Sequence, residues 1–193
     1  MPKIVNHEQY KDQILDQSFH LFARKGYEIT MRELSRELKI STGTLYYYFK
    51  SKEDIFRQTM NFISQKQIDL LIERLGRDRS PEEKVKLALN YILNNERFFQ
   101  NILFLIIDYY RQNDCKDPDQ IIHEMADFYK TTIAEQLGFS NSILSSSFLS
   151  FTLGILIHRI LDPVNTDWDE QIALIRSMVS LFAATGKEVV QGD

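Results

Sequence analysis

Ser41-Thr42-Gly43-Thr44-Leu45-Tyr46-Tyr47-Tyr48-Phe49-Lys50-Ser51-Lys52 crowds hydroxyls, phenols and two lysines around only two residues that read as buried, Leu45 and Phe49. Chemistry of this kind suits a helix lying on nucleic acid. Hydroxyls and phenols donate to phosphate oxygens, and a threonine hydroxyl or methyl can meet a base edge. Ser41 reads as the N-cap. Leu45 and Phe49, four residues apart, supply one docking edge and leave Thr42, Gly43, Thr44, Tyr46 and Tyr47 facing outward. Thr42 and Thr44 are candidate base or phosphate contacts, Gly43 admits close backbone approach, and Tyr46 and Tyr47 offer phenols to phosphate. Lys52, at the start of the next helix where backbone amides also point outward, is a candidate phosphate clamp.

Such a helix needs a support. Just upstream, Thr30 and Glu33 form a capping box, and Met31, Leu34 and Leu38 repeat with helical spacing, which predicts a short helix from Thr30 to Leu38. Two short helices joined by a tight turn make a helix-turn-helix, with the second aimed at the major groove of double-stranded DNA. Thr30 is a candidate contact from the other side; Arg32, Arg36 and Lys39 are candidates by charge and location. The competing interpretation, surface or core aromatics beside solvated lysines, is disfavoured by the agreement of cap, glycine, aromatic and lysine spacing.

The run Gly43-Thr44-Leu45-Tyr46-Tyr47-Tyr48-Phe49-Lys50-Ser51-Lys52 resembles the recognition-helix signature of tetracycline-repressor-like (TetR family) regulators. The resemblance extends in register from about Ile14 to Phe56 and is only architectural beyond residue 60. It implies DNA-contacting roles for Thr30, Thr42, Tyr46, Tyr47 and Lys52, each at a matching position. It also implies a cavity in the C-terminal helices for a small, often apolar effector that changes the spacing of two DNA-binding heads. Two positions depart from the pattern: Lys39 stands where the family commonly has a turn glycine, and Ser35 where it commonly has alanine.

The rest of the chain predicts an all-α fold. A first helix is expected from about His7 to Arg24 with Lys25-Gly26 as its stop, and a long one from Ser51 to Gly76, about 37 Å if straight. Ser80-Pro81-Glu82-Glu83 starts another. Further helices are expected over Glu82–Asn94, Glu96–Gln112, Asp117–Leu137, Ser140–Leu161 and Asp167–Val189. The expected division is a DNA-binding head at 1–52, a connecting helix at 51–76, and a ligand-binding and dimerising body at 77–193. The 193 residues and 44% hydrophobic content are ample for a core.

Residues 1–52 hold nine Lys or Arg against six Asp or Glu, whereas residues 53–193 hold fourteen against twenty-one. A basic head on an acidic body would orient an approach to DNA. The single Cys115 excludes an intramolecular disulfide framework and fits the cytoplasm. The longest uninterrupted apolar runs, Ile102 to Ile107 and Leu153 to Ile157, are too short to cross a bilayer, so no membrane is expected.

The last two expected helices carry apolar residues on more than one face: Leu144, Phe148, Phe151 and Ile155, then Leu149, Leu153 and Leu156, in one; Ile172, Ile175, Val179 and Phe182, then Leu174, Met178 and Leu181, in the other. With the small-residue row Ser146, Ser150 and Gly154, this predicts a homodimer through about 140–161 and 167–189, the alternative being an internal helix pair. Tyr91, Phe104, Tyr110, His123, Phe128, Phe151 and His158 are candidates for lining the effector cavity, although aromatics and histidines so placed also serve as ordinary core.

Catalysis finds no support, since metal-protease, Cys-x-x-Cys, glycine-rich phosphate-loop and nucleophile-elbow patterns are absent. No metal or cofactor is expected. The expectation is a ligand-responsive transcriptional repressor on an inverted-repeat operator. The competing interpretations are a constitutive or protein-partner-controlled DNA binder and a helical enzyme or carrier.

Overall fold

The computed structural model describes residues 7–118, 120–139, 142–164 and 167–185, the side chains of 142 and 179–185 excepted. Their regular structure is helical: α1 His7–Lys25, α2 Met31–Glu37, α3 Thr42–Tyr48, α4 Lys52–Leu75, α5 Pro81–Asn94, α6 Glu96–Gln112, α7 Ile121–Leu137, α8 Ser142–Leu161 and α9 Trp168–Thr185. Backbone packing groups these residues into two units, Met1–Ile68 with Asn101–Met125, and Asp69–Gln100 with Ala126–Asp193. In this grouping by packing, α4, α6 and α7 each have one end in each unit.

Local chemistry accounts for most helix ends. At α2 the Thr30 hydroxyl accepts the Glu33 N–H while the Glu33 carboxylate accepts the Thr30 N–H at 2.9 Å. Ser80 and Glu83 repeat that exchange at α5, with Pro81 in the first turn. The start of α7 differs from expectation. It begins at Ile121 rather than Asp117, because Gln120 takes a left-handed conformation (φ 56) and Asp117, from outside the helix, accepts the N–H groups of Ile122 and His123 at 3.0 and 2.9 Å. The expected helix start at Ser140, the end at Val189, and the side chains of Val179, Leu181 and Phe182 lie outside what is described.

In the first unit, α1 contributes Ile14, Leu15, Phe19 and Phe22 to the core, and α2, α3 and α4 contribute Leu34, Leu45, Ile55, Phe56 and Met60. An aromatic cluster sits at its centre. Phe56 meets Phe22 edge-on at 5.2 Å and Tyr27 at 4.7 Å, and stacks on Tyr109 of α6 at 5.5 Å. Gly26 ends α1 with φ 78, a conformation that favours glycine, and a Cβ there would stand 2.5 Å from the Asp108 carboxylate, which would have to shift.

The second unit is built around Leu75, Val85, Ala88, Leu89, Leu137, Phe148, Ile172 and Ile175. Its α8 corrects the bilayer estimate above: Ile143–Leu161 is long and apolar enough to cross a membrane by length and composition, with mean hydropathy 1.5. Counting uninterrupted runs missed this because serines break the runs without lowering the average much. The helix packs by one stripe, Ser145, Phe148, Thr152 and Leu156, all buried. Phe151 does not share that stripe with Phe148 as expected; it is exposed with Ile143, Ile157, Ile160 and Leu161.

Lys39 occupies the left-handed region (φ 57) after α2, where the Ile40 N–H reaches back to the Ser35 carbonyl at 3.0 Å and the Lys39 N–H to that of Arg36 at 3.2 Å. This is the turn that glycine usually completes. A side chain there costs on the order of 1 to 2 kcal/mol, which the fold tolerates.

Candidate nucleic-acid interface

The reading helix is short and strongly fixed. Leu45 and Phe49, each fully buried, anchor α3 and its C-cap. Ser41 is the N-cap: its hydroxyl accepts the Thr44 N–H at 2.9 Å and shares a second hydrogen bond with the Thr44 hydroxyl at 2.7 Å. Tyr47 is 74% and Tyr46 51% exposed, unusual for aromatics on a packed helix. Arg32, Arg36, Lys39, Ser41, Gly43 and Lys50 are exposed as well. Thr42 and Thr44 are half-buried.

Tyr48 faces α1. Its phenol hydrogen-bonds the His7 Nδ1 at 2.9 Å, and its ring lies 5.8 Å from that of Tyr10. Burial, then the neighbouring Tyr47 and Tyr10, push its pKa above the ordinary phenol value. Thr30 is exposed, yet its hydroxyl donates to Glu33 Oε2 at 2.8 Å. The Thr30 N–H, followed by that hydroxyl, holds the Glu33 carboxyl below the usual carboxylate range.

Lys52 is held on Tyr27. Its Nζ donates to the Tyr27 carbonyl at 3.1 Å and lies 4.1 Å from the ring centroid, while Asp108 accepts the Tyr27 N–H at 3.3 Å. A lysine has three N–H donors, so two remain for phosphate. The following turn is fixed by Asp54, which accepts the Lys50 N–H at 2.8 Å and donates its own N–H to the Ser51 hydroxyl. The role of Asp108 has no sequence signal: it is 81 residues from Tyr27.

Gly43 separates fold from function. A Cβ on it would meet only the Ser41 hydroxyl, at an ordinary 3.7 Å, so the protein itself does not require glycine there. Gly43→Ala is expected to raise stability by about 0.5 to 1 kcal/mol through helix propensity while weakening binding to duplex DNA. Thermal unfolding and a titration with DNA, run on the same sample, check it; unchanged affinity would remove Gly43 from the interface.

The effector candidates are dispersed. Tyr91 is buried beneath the Arg74 guanidinium, 5.0 Å away, and Tyr110 and Phe128 are half-buried. Phe104, His123, Phe151 and His158 are exposed. Of these candidates, Phe151 borders both an open cleft of about 520 Å³, with Ile143, Ser146, Ser147 and Ser150, and a small apolar hollow of about 30 Å³. Among the described residues no cluster of three His, Cys, Asp or Glu is placed to hold a metal.

A capped support helix followed by a hydroxyl- and phenol-bearing helix defines a helix-turn-helix DNA-binding protein. Residues 14–59 match the model for bacterial regulatory proteins of the tetR family. The chain is 26% identical over 179 residues to the HTH-type transcriptional regulator PksA of Bacillus subtilis (strain 168), covering 88% of this chain and 87% of that one. It is 28% identical over 92 residues to the negative transcriptional regulator IcaR of the icaADBC biofilm operon of Staphylococcus epidermidis, 47% of this chain and half of that one. A transcriptional regulator from Aquifex aeolicus VF5 shares the fold with a TM-score of 0.56 at 22% identity, over 89% and 98% of the two chains. Residues 14–59 thus carry the DNA-binding domain of tetR-family bacterial regulatory proteins, and over most of its length the chain is similar to a transcriptional regulator.

Proposed function

We propose that this regulator is a repressor that binds an inverted-repeat operator as a homodimer in the cytoplasm and releases it when a small, apolar effector binds. Residues 1–52 act as the DNA-binding head and 77–193 as the ligand-binding and dimerising body. In each head Thr42, Gly43, Thr44, Tyr46 and Tyr47 enter the major groove, with Thr30, Arg32, Lys39, Ser41 and Lys52 at its edges. The observation that carries this reading is the exposure of Tyr46 and Tyr47 on a helix anchored by two fully buried residues. Repression is supported by IcaR, which is named a negative regulator.

Dimerisation is supported by the apolar surface of α8 and α9. Ile143, Phe151, Ile157, Ile160 and Leu161 of α8 and Leu174 of α9 are exposed, and large exposed apolar patches mark interaction sites. The same exposure accounts for the membrane-like hydropathy of α8 as a protein interface. Phe151→Glu with Leu174→Glu is expected to turn a dimer into a monomer in sedimentation and to abolish cooperative operator binding; a dimer that persists would move the interface elsewhere.

The effector rests on the habit of the family, whose members typically act as dimers with small-molecule effectors. A mobility shift on the region upstream of the protein's own gene tests the DNA reading. Thermal-shift screening with apolar compounds, followed by operator release, tests the effector, and coupling of about 1 to 3 kcal/mol would change affinity roughly 5- to 150-fold. Retained DNA binding in the presence of every compound that stabilises the protein would leave a constitutive or partner-controlled binder.

A further inference from the structure

We infer that Ser35 fixes the direction in which the Thr42 hydroxyl can hydrogen-bond, so that at the base Thr42 faces the protein takes adenine or cytosine over guanine or thymine. The inference rests on the DNA-binding reading above and adds a determinant of sequence specificity to it.

Ser35 is buried, 4% exposed, and its hydroxyl donates to the Arg32 carbonyl at 2.9 Å. Thr42 Oγ1 lies 3.1 Å from Ser35 Oγ. A hydroxyl carries one hydrogen. With that of Ser35 directed to Arg32, the hydrogen between the two side chains is the one on Thr42, and what Thr42 has left is lone pairs. Thr44 differs: in its bond to Ser41 either oxygen can be the donor, so its direction is free.

In the major groove adenine N6 and cytosine N4 carry amino donors, whereas guanine presents O6 and N7, and thymine O4, as acceptors. A Thr42 oxygen with only lone pairs complements the amino bases and opposes lone pair to lone pair on the keto bases. Reversal is possible, since Ser35 can turn its hydrogen toward Thr42 and free the Thr42 hydrogen for a keto oxygen. That arrangement gives up the bond to the Arg32 carbonyl. The discrimination is therefore the worth of one ordinary hydrogen bond, about fivefold in affinity. Alanine, common at this position in the family that the chain resembles, removes the constraint altogether.

The test uses the full-length protein and duplexes selected from a randomised pool. Thr42→Val keeps the branched shape without the hydroxyl, and the base pair whose preference it loses is the one Thr42 reads. There the unaltered protein is expected to favour an amino base by about fivefold and to lose that preference against an analogue without the amino group, purine for adenine or pyrimidinone for cytosine. Ser35→Ala is expected to bind amino and keto bases within about twofold of one another, with unchanged salt dependence. A keto preference in the unaltered protein, indifference to the analogues, or undiminished discrimination in Ser35→Ala overturns the inference; the analogue arm needs no variant to fold. Failure to select any sequence overturns instead the DNA-binding reading on which it stands.

Discussion

Phe56→Ala is expected to destabilise the protein by about 3 to 5 kcal/mol, the range for truncating a buried phenylalanine. Phe56 is fully buried and its ring is shared by three others, those of Phe22, Tyr27 and Tyr109. Truncation strips all three neighbouring rings of their packing at once, and rings on three separate segments cannot close the gap without moving backbone. Against a typical total of roughly 5 to 15 kcal/mol, this is a large share. The melting temperature should fall by roughly 6 to 20 °C, and DNA binding should be lost on warming before it is lost in the cold. A fall of less than about 2 °C, which is about 0.5 to 1 kcal/mol for a chain of this size, would mean that the cluster is not the keystone of the first unit.

Lys52→Ala is expected to weaken duplex binding by roughly tenfold or more, since a charge-assisted hydrogen bond contributes about 1.5 to 3 kcal/mol and a dimer carries two. The slope of log affinity against log salt should fall by about 0.9 for each phosphate that is no longer neutralised. The slope is the decisive readout because Lys52 has a second role in the fold, donating to the Tyr27 carbonyl and covering its ring. Loss of that tether alone would lower stability and leave the slope unchanged. An unaltered slope would therefore assign Lys52 to the fold and remove it from the phosphate-binding set.

What the sequence disclosed and what it withheld divide along a physical line. Boundaries set by neighbours in the chain were legible: the capping boxes at Thr30 and Ser80, the Ser41 cap, and the stop at Gly26 all depend on residues within about four positions. The choice of exposed and buried faces on α3 was legible for the same reason, because Leu45 and Phe49 are the only large apolar pair at helical spacing there. Long-range partners were not. Nothing near Tyr27 announces Asp108, and nothing near Asp117 announces that Gln120 turns left-handed and delays α7.

On α8 both faces are apolar, so periodicity could not decide that Phe148 is covered and Phe151 exposed; only the packing of α5 against α9 and the core around them does that. The bonding direction of Thr42 lay beyond sequence for a different reason. A letter code records a hydroxyl and not where its hydrogen goes.

Tyr27 is gripped at both ends of its own backbone, its amide by Asp108 and its carbonyl by Lys52. That makes one residue a crank between a helix remote in sequence and the cation at the foot of α4. Coupling of this kind is reciprocal, so a phosphate that drew on Lys52 would stiffen the seat of Asp108 as much as a shift of Asp108 would slacken the hold on that phosphate.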